Sequence, residues 1–384
     1  MECRMKPLTI GHVLLTRFSY RMNVDGPGNR AGNDGIVNSD PLDPSRLNFR
    51  FALFESACLP NVLAQTNQNF DWILIIDPDL PMEYRRRLRS LIAKRKRSHL
   101  HVYSASDNLA RLAWLERYMS RGCDLILTTN LDDDDILSVD FVEKLQSHVL
   151  ELGDKVPSIK FLGVKQTYEW DLYSSSKYPF GTWAPWHRFN WFRSTGLTLL
   201  CRAAVHQLSV FTLHHSHADV WYAQGSDQQQ ARIAREVWGL SAGDRFPFRA
   251  HLISNFQQEL EKGVDLGGDD WKTLSSVELH YDLSLDGVFA GHLNHFMNDQ
   301  STRMFEHKPG TLPVVDVQFF PEDFRIDWGA FQKHRDLFKL SWRQYRKYLP
   351  EIRKYQKRLS LNWWQSILLF VSWNSRLAWW FLRH

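Results

Sequence analysis

The sequence predicts an α/β protein whose central sheet is mostly parallel and flanked by helices. Three observations carry that reading. Over the first 150 residues, short apolar β-rich runs alternate with helical patterns, and strand–helix–strand order implies crossovers between parallel strands. Several of those runs end in charged residues, as strands do when their carboxyl ends open onto a site. Composition sets the scale: 384 residues, 43% hydrophobic and 23% charged, are enough for a proper core and exclude a disordered chain.

The first run, Thr9 to Thr16, reads as a buried strand leading to Arg17 and Phe18. Residues 23–45 are rich in Gly, Asn, Asp and Pro and read as a long loop, a candidate lid or a plain surface insertion. Leu47 to Ala64 has apolar residues at helical spacing, with a bend expected near Pro60. Phe70 to Ile76 is a second buried strand that delivers Asp77 and Asp79 at its end, followed by a basic helix from Met82 to Arg97. A short strand at His101 to Ser104 and a helix from Asn108 to Arg121 complete the alternation.

The next strand organises the chain. Asp124 to Thr129 is apolar and β-branched, and after Asn130 and Leu131 it runs into Asp132, Asp133, Asp134 and Asp135. Four crowded carboxylates repel one another unless donors or a cation compensate, and hard oxygen ligands suit Mg²⁺ or Mn²⁺. The alternative is an acidic helix cap. An amphipathic helix follows at Phe141 to Leu152.

Beyond it the character changes. Tyr168 to Tyr173 and Phe180 to Phe192 are dense in aromatics, suited to a sugar site or to a core hairpin. Ser194 to Arg202 is a further strand, and Ser226 opens a helix. His214, His215 and His217, like His292 and His295, match no standard zinc spacing. From Phe331 onward the chain turns basic and aromatic. Leu361 to Phe381 is apolar but interrupted by Asn362, Gln365 and Arg376, and reads as an interfacial helix rather than a span, with docking on the protein's own core as the alternative.

Residues 55–77 resemble the opening of GT-A fold glycosyltransferases, and Leu131 to Phe141 resembles their Asp-x-Asp segment. More closely, Thr128, Thr129, Leu131, Asp132, Asp134 and Asp135 together with this N-terminal half resemble the rhamnosyltransferase family, although Asn130 and Asp133 stand where that family carries Arg and Asn. The resemblance covers about residues 9–145 and is diffuse to residue 310. It implies a nucleotide-diphosphate sugar donor bridged by Mn²⁺ or Mg²⁺ on Asp132 and Asp134, with His292 completing the shell and His217 as an alternative. It places Asp77 and Asp79 near the nucleoside and Thr16, Arg17 and Phe18 at its pocket. Asp133 falls within the same donor-binding stretch, its side chain expected to point away. Asp227, or failing that Asp219, matches the acid that deprotonates the acceptor in inverting members. The implied organisation is a donor-binding half at 1–150, an acceptor-binding and catalytic half at 151–310 and a helical extension at 311–384.

The implied activity is transfer of a sugar, rhamnose or another deoxyhexose, to a surface-polysaccharide or lipid-linked glycan. Two rival readings stand beside it, a nucleic-acid-binding phosphoryl-transfer enzyme using the basic tail and an inactive scaffold with the same fold. A formal net charge of +4 argues for neither, and no nucleic-acid partner is expected. Four scattered cysteines without a CxxC pair, and an N-terminus without a signal-peptide core, fit a cytoplasmic protein held at the inner membrane surface by its C-terminal extension.

Overall fold

The computed structural model describes residues 8–19, 40–104, 112–119, 122–156, 159–164, 166–171, 182–186, 195–204, 209–213, 288–295, 322–334 and 336–338. Its centre is a six-stranded sheet in the order β3-β2-β1-β4-β9-β6. β1 (Ile10–Phe18) lies between β2 (Asp71–Ile76) and β4 (Leu125–Asn130), parallel to both, and β3 (Ser98–Val102) extends β2 in parallel. β9 (Thr198–Arg202) runs antiparallel to β4 and to β6 (Ile159–Leu162). Every residue of β2 and β4 is buried, as expected of central strands covered on both faces. This is the mostly parallel, helix-flanked sheet that the sequence predicts.

Local chemistry sets the helices. α1 (Pro44–Leu53) opens with Pro in its first turn and Asp43 as cap, accepting from Ser45 N at 2.8 Å. The expected bend near Pro60 is a wide π-type turn over Phe54–Cys58, followed by α2 (Leu59–Leu63). Pro60 has no N–H to offer the carbonyl four residues back, Ser56. That carbonyl accepts from Asp327 N instead, at 2.8 Å.

α3 (Met82–Ile92) is shorter than the basic run suggests. Arg95 is tucked over the Phe70 ring at 3.7 Å and bonds the Gln68 and Phe70 carbonyls, which turns the chain directly into β3. Of the helix expected at 108–121, the described part is a 3₁₀ turn at Ala113–Leu115. α4 (Phe141–Glu151) packs back on the sheet through a buried chain of hydrogen bonds. Gln146 Nε2 donates to His12 Nδ1 at 3.2 Å, and His12 Nε2 then donates to Thr129 Oγ1 at 2.8 Å, which meets Thr198 Oγ1 at 2.6 Å. Burial, with Arg95 adding, pulls His12 down to about 3, so it sits neutral between its partners.

A second sheet has the order β5-β10-β7-β8, built from β5 (Ile136–Leu137), β7 (Gln166–Asp171), β8 (Thr182–Trp186) and β10 (Val288–Asn294). β5 follows the acid run immediately and pairs antiparallel with β10, Gly291 against Ile136. Residues 322–338, which the sequence assigns to the extension, dock on the helices: Arg325 N donates to Asn61 Oδ1 at 2.9 Å, and Asn61 Nδ2 to Arg325 O at 2.7 Å. α5 (Trp328–Lys333) carries Phe331, fully buried between Trp170 and Phe338 at ring distances of 5.4 and 5.1 Å. The aromatic Trp170 thus serves the core.

Candidate functional site

β1, β2 and β4 run in the same direction, so their carboxyl ends meet at one edge of the sheet, where Leu131 N bonds Leu15 O at 2.9 Å. Arg17 from β1, Ser19 just after it, Asp77 after β2 and the four aspartates after β4 gather there. β10, paired to β5, brings His292 and His295 onto the same acids.

Each carboxylate has two oxygens, and the protein's donors reach them unequally. Asp133 uses both, Oδ1 accepting from Arg50 Nη1 at 3.0 Å and Oδ2 from Ser19 N at 3.3 Å. Asp135 also uses both: Oδ1 faces His292 Nδ1 at 2.8 Å and Leu293 N at 3.3 Å, and Oδ2 accepts from Thr195 Oγ1. Asp134 is held through Oδ2 alone, by Arg50 Nη1 and by His295 Nε2 at 2.7 Å. Asp132 is held through Oδ1 alone, by Arg17 Nη2 at 3.3 Å. Among the described residues no hydrogen bond reaches Asp132 Oδ2 or Asp134 Oδ1. Asp132 is also the most open of the acids, its side chain 21% exposed against 4% and 6% for Asp133 and Asp134.

The electrostatics follow from this packing. Burial pushes Asp133 up to about 7, with the neighbouring Asp134 and Asp132 adding to the rise and Arg50 only partly offsetting it. Asp134 feels the same burial, but Arg50 and His295 outweigh it and hold its carboxyl below the usual carboxylate range. Burial also raises Asp135, with His292 opposing. His295 is fully buried and drawn down to about 4 despite its contact with Asp134, so it is a neutral ring donating Nε2–H.

Several expectations are placed differently from the sequence reading. Thr16 is fully buried and accepts from Trp72 Nε1 at 3.0 Å, while Phe18 packs edge-on against Phe51 and Phe54 at 4.8 and 5.4 Å. Strand alternation turns both side chains into the core and only Arg17, between them, toward the acids. Asp133 does not point away, because the chain turns after Leu131 and the alternation of β4 stops there. His292 lies against Asp135, and His295 is the ring on Asp134. Asp77 accepts from Asp79 N at 2.8 Å and caps its own turn, leaving Asp79 exposed. Asp219, Asp227 and His217 lie outside the described residues. Arg50 went unrecognised in the sequence, since nothing near it in α1 signals partners so far along the chain.

Among the described residues no group of three or more His, Cys, Asp or Glu side chains is set around a common point to hold a metal ion. Mg²⁺ commonly takes only one or two protein carboxylates, with water and substrate phosphate completing its shell. The unbonded oxygens of Asp132 and Asp134 fit that kind of partial site.

The family described as "Putative rhamnosyl transferase" matches residues 11–233, more than half of the chain. Among solved structures, Staphylococcus aureus TarS 1-349 in complex with UDP is similar at 8% identity over 97% of this chain and 92% of that one, with a TM-score of 0.30. The mannosyltransferase PcManGT from Pyrobaculum calidifontis in complex with GDP-Man and Mn²⁺ is similar at 11% identity over 96% and 87%, with a TM-score of 0.27. A longer S. aureus TarS structure is similar at 10% identity over 42% of this chain with a TM-score of 0.20, and the chain spans only 22% of it. At these scores the fold assignment rests on the sheet topology rather than on the likenesses. No curated protein sequence matches the chain.

Proposed function

The chain belongs to the rhamnosyl transferase family, and from the geometry of its acid run we propose a metal-dependent glycosyltransferase acting on a nucleotide-diphosphate sugar. The observation that carries this reading is the division among the four aspartates. Asp133 and Asp135 have both oxygens consumed by the protein, whereas Asp132 and Asp134, two positions apart, each keep one unbonded among the described residues. Those two would hold Mn²⁺ or Mg²⁺ together with the donor's diphosphate, and the ion would stabilise the charge that builds on the departing phosphate oxygens.

The chain's own residues do the rest. Arg50 and His295 fix the Asp134 carboxylate, so its spare oxygen is presented without rotamer freedom. Arg17 stands at the mouth beside Asp132 and supplies a second positive charge for the diphosphate. Asp135 does not reach the donor; with Thr195 and His292 it locks β10 to the end of β4. Asp77 and Asp79 sit at the nucleoside side of the same edge. The acceptor's proton goes to Asp227, or to Asp219 in its place, in an inverting reaction. Rhamnose or another deoxyhexose is the proposed sugar and a surface-polysaccharide or lipid-linked glycan the acceptor, with the donor half at 1–150 and the acceptor half at 151–310. The C-terminal extension, 311–384, is proposed to hold the enzyme at the inner membrane surface through its part beyond residue 338. No helix of the described residues is long and apolar enough to cross a membrane.

Asp132→Asn and Asp134→Asn test the site. Each should keep the fold and lose sugar transfer and Mn²⁺-dependent donor hydrolysis by at least about a hundredfold. Full transfer by both variants would contradict the proposal.

A further inference from the structure

The basic stretch from Met82 to Arg97 contains eight Arg and Lys residues and one acid, Glu83. The structure divides those eight into two sets. Four are consumed by the fold. Arg85 donates to the Leu80 carbonyl at 2.6 Å and to the Pro78 carbonyl, and Arg87 pairs with Glu55 at 2.6 Å and covers the Phe51 ring at 4.4 Å. Arg95 is buried over Phe70, and Arg97 grips Asp71 at 2.6 Å. The other four, Arg86, Arg89, Lys94 and Lys96, are exposed and, among the described residues, make no side-chain ion pair or hydrogen bond.

The helical members of the spare set share one face. Met82, Arg86, Arg89 and Ala93 recur at the four- and three-residue spacing of a single helix stripe, and all are exposed. Lys94 and Lys96 follow in the turn after the helix, also exposed. Met82 opens the stripe with 54% of its surface exposed, so an apolar side chain sits at the end of the positive face. Tyr84, the aromatic ring of this helix, is turned inward and stacked on Phe51 at 5.5 Å. A nucleic-acid platform presents aromatic faces to bases, and this surface presents none.

We infer that the exposed face of α3 with Lys94 and Lys96 is a docking surface for an anionic lipid membrane. Four exposed cations without a partner among the described residues, two on the helix and two in the turn after it, together with one exposed thioether, complement a negatively charged leaflet, with Met82 entering the headgroup layer. The surface is built from residues 82–96, and the inference does not depend on the glycosyltransferase reading.

The test is co-sedimentation of the full chain with vesicles of phosphatidylcholine alone and of an equimolar mixture with phosphatidylglycerol. The parent should bind the anionic vesicles and release as salt is raised. Each charge removed should weaken binding about fivefold, so R86Q/R89Q/K94Q/K96Q should lose roughly two to three orders of magnitude. The paired variants R86Q/R89Q and K94Q/K96Q, less demanding on folding, should each lose about half of that on a logarithmic scale. Equal binding by parent and variants would overturn the inference, as would binding that requires only residues 339–384. So would binding to an RNA duplex with none to anionic vesicles.

Discussion

Replacing Arg50 by Met removes a guanidinium that serves two buried carboxylates. Arg50 is 13% exposed and its partners Asp133 and Asp134 are 4% and 6% exposed, so solvent does little to replace the lost charge. Breaking a buried pair by deleting one partner costs about 3–5 kcal/mol, a large part of the 5–15 kcal/mol that holds a typical domain together. The deficit has a pH signature. Burial already lifts Asp133 to about 7 with Arg50 present, and removing Arg50 lifts it further. A carboxyl whose folded pKa exceeds its unfolded value gives stability that is present at low pH and lost as pH rises through the folded pKa. The variant's deficit relative to the parent should therefore be greatest near pH 8 and shrink toward pH 6, by up to about 1.4 kcal/mol per pH unit. Urea denaturation of parent and variant in chelator at both pH values measures it, and adding Asp133→Asn to Arg50→Met should recover part of the loss. A deficit below about 1 kcal/mol, or one that grows on acidification, would refute the idea that Arg50 is the acids' internal counter-ion.

Three further outcomes follow from the packing. His12 sits at about 3, below the unfolded value of 6.5, so the folded chain refuses a proton that the unfolded chain accepts, and stability present above pH 6.5 is lost as pH falls; His12→Gln should flatten that slope by up to about 1.4 kcal/mol per pH unit, and identical slopes in denaturant titrations would contradict it. Gly196 has φ +75°, and an added Cβ would lie 3.2 Å from Phe141 and 3.3 Å from Leu137, so Gly196→Ala should cost at least about 1–2 kcal/mol of unfolding free energy. Phe338 is 2% exposed and packs 5.5 Å from Phe49, itself 5.1 Å from His295; Phe338→Ala should cost about 3–5 kcal/mol, and unchanged thermal unfolding would mean that residues 322–338 are not part of the core.

The parallel sheet was legible because buried central strands carry short apolar runs, Trp72 to Ile76 in β2 and Leu125 to Leu127 in β4. The acid run was legible because four adjacent carboxylates repel one another unless donors or a cation compensate them. What escaped depends on partners distant in the chain. Pro60 announces a broken helix, but not that Asp327 N–H takes the carbonyl it frees. The choice between His292 and His295 turns on the register of β10 against β5, set by Gly291 opposite Ile136, and three-residue spacing alone does not give it. Asp133 was misjudged by extending strand alternation past Asn130, where the strand ends. The basic run read as one long helix because charge spacing does not reveal that Arg95 dives beneath the surface while Lys94 and Lys96 stay out.

The proposed division of the four aspartates, and with it the glycosyltransferase reading, meets its most direct test in thermal unfolding of the full chain against a panel of nucleotide-diphosphate sugars, with and without Mn²⁺. A ligand at a hundred times its Kd stabilises by about 2.7 kcal/mol, enough to read clearly. At least one donor should raise the unfolding temperature only when Mn²⁺ is present, and Asp132→Asn and Asp134→Asn should abolish the shift. If no nucleotide sugar shifts the parent with or without the ion, or if both Asn variants respond as the parent does, the account is wrong.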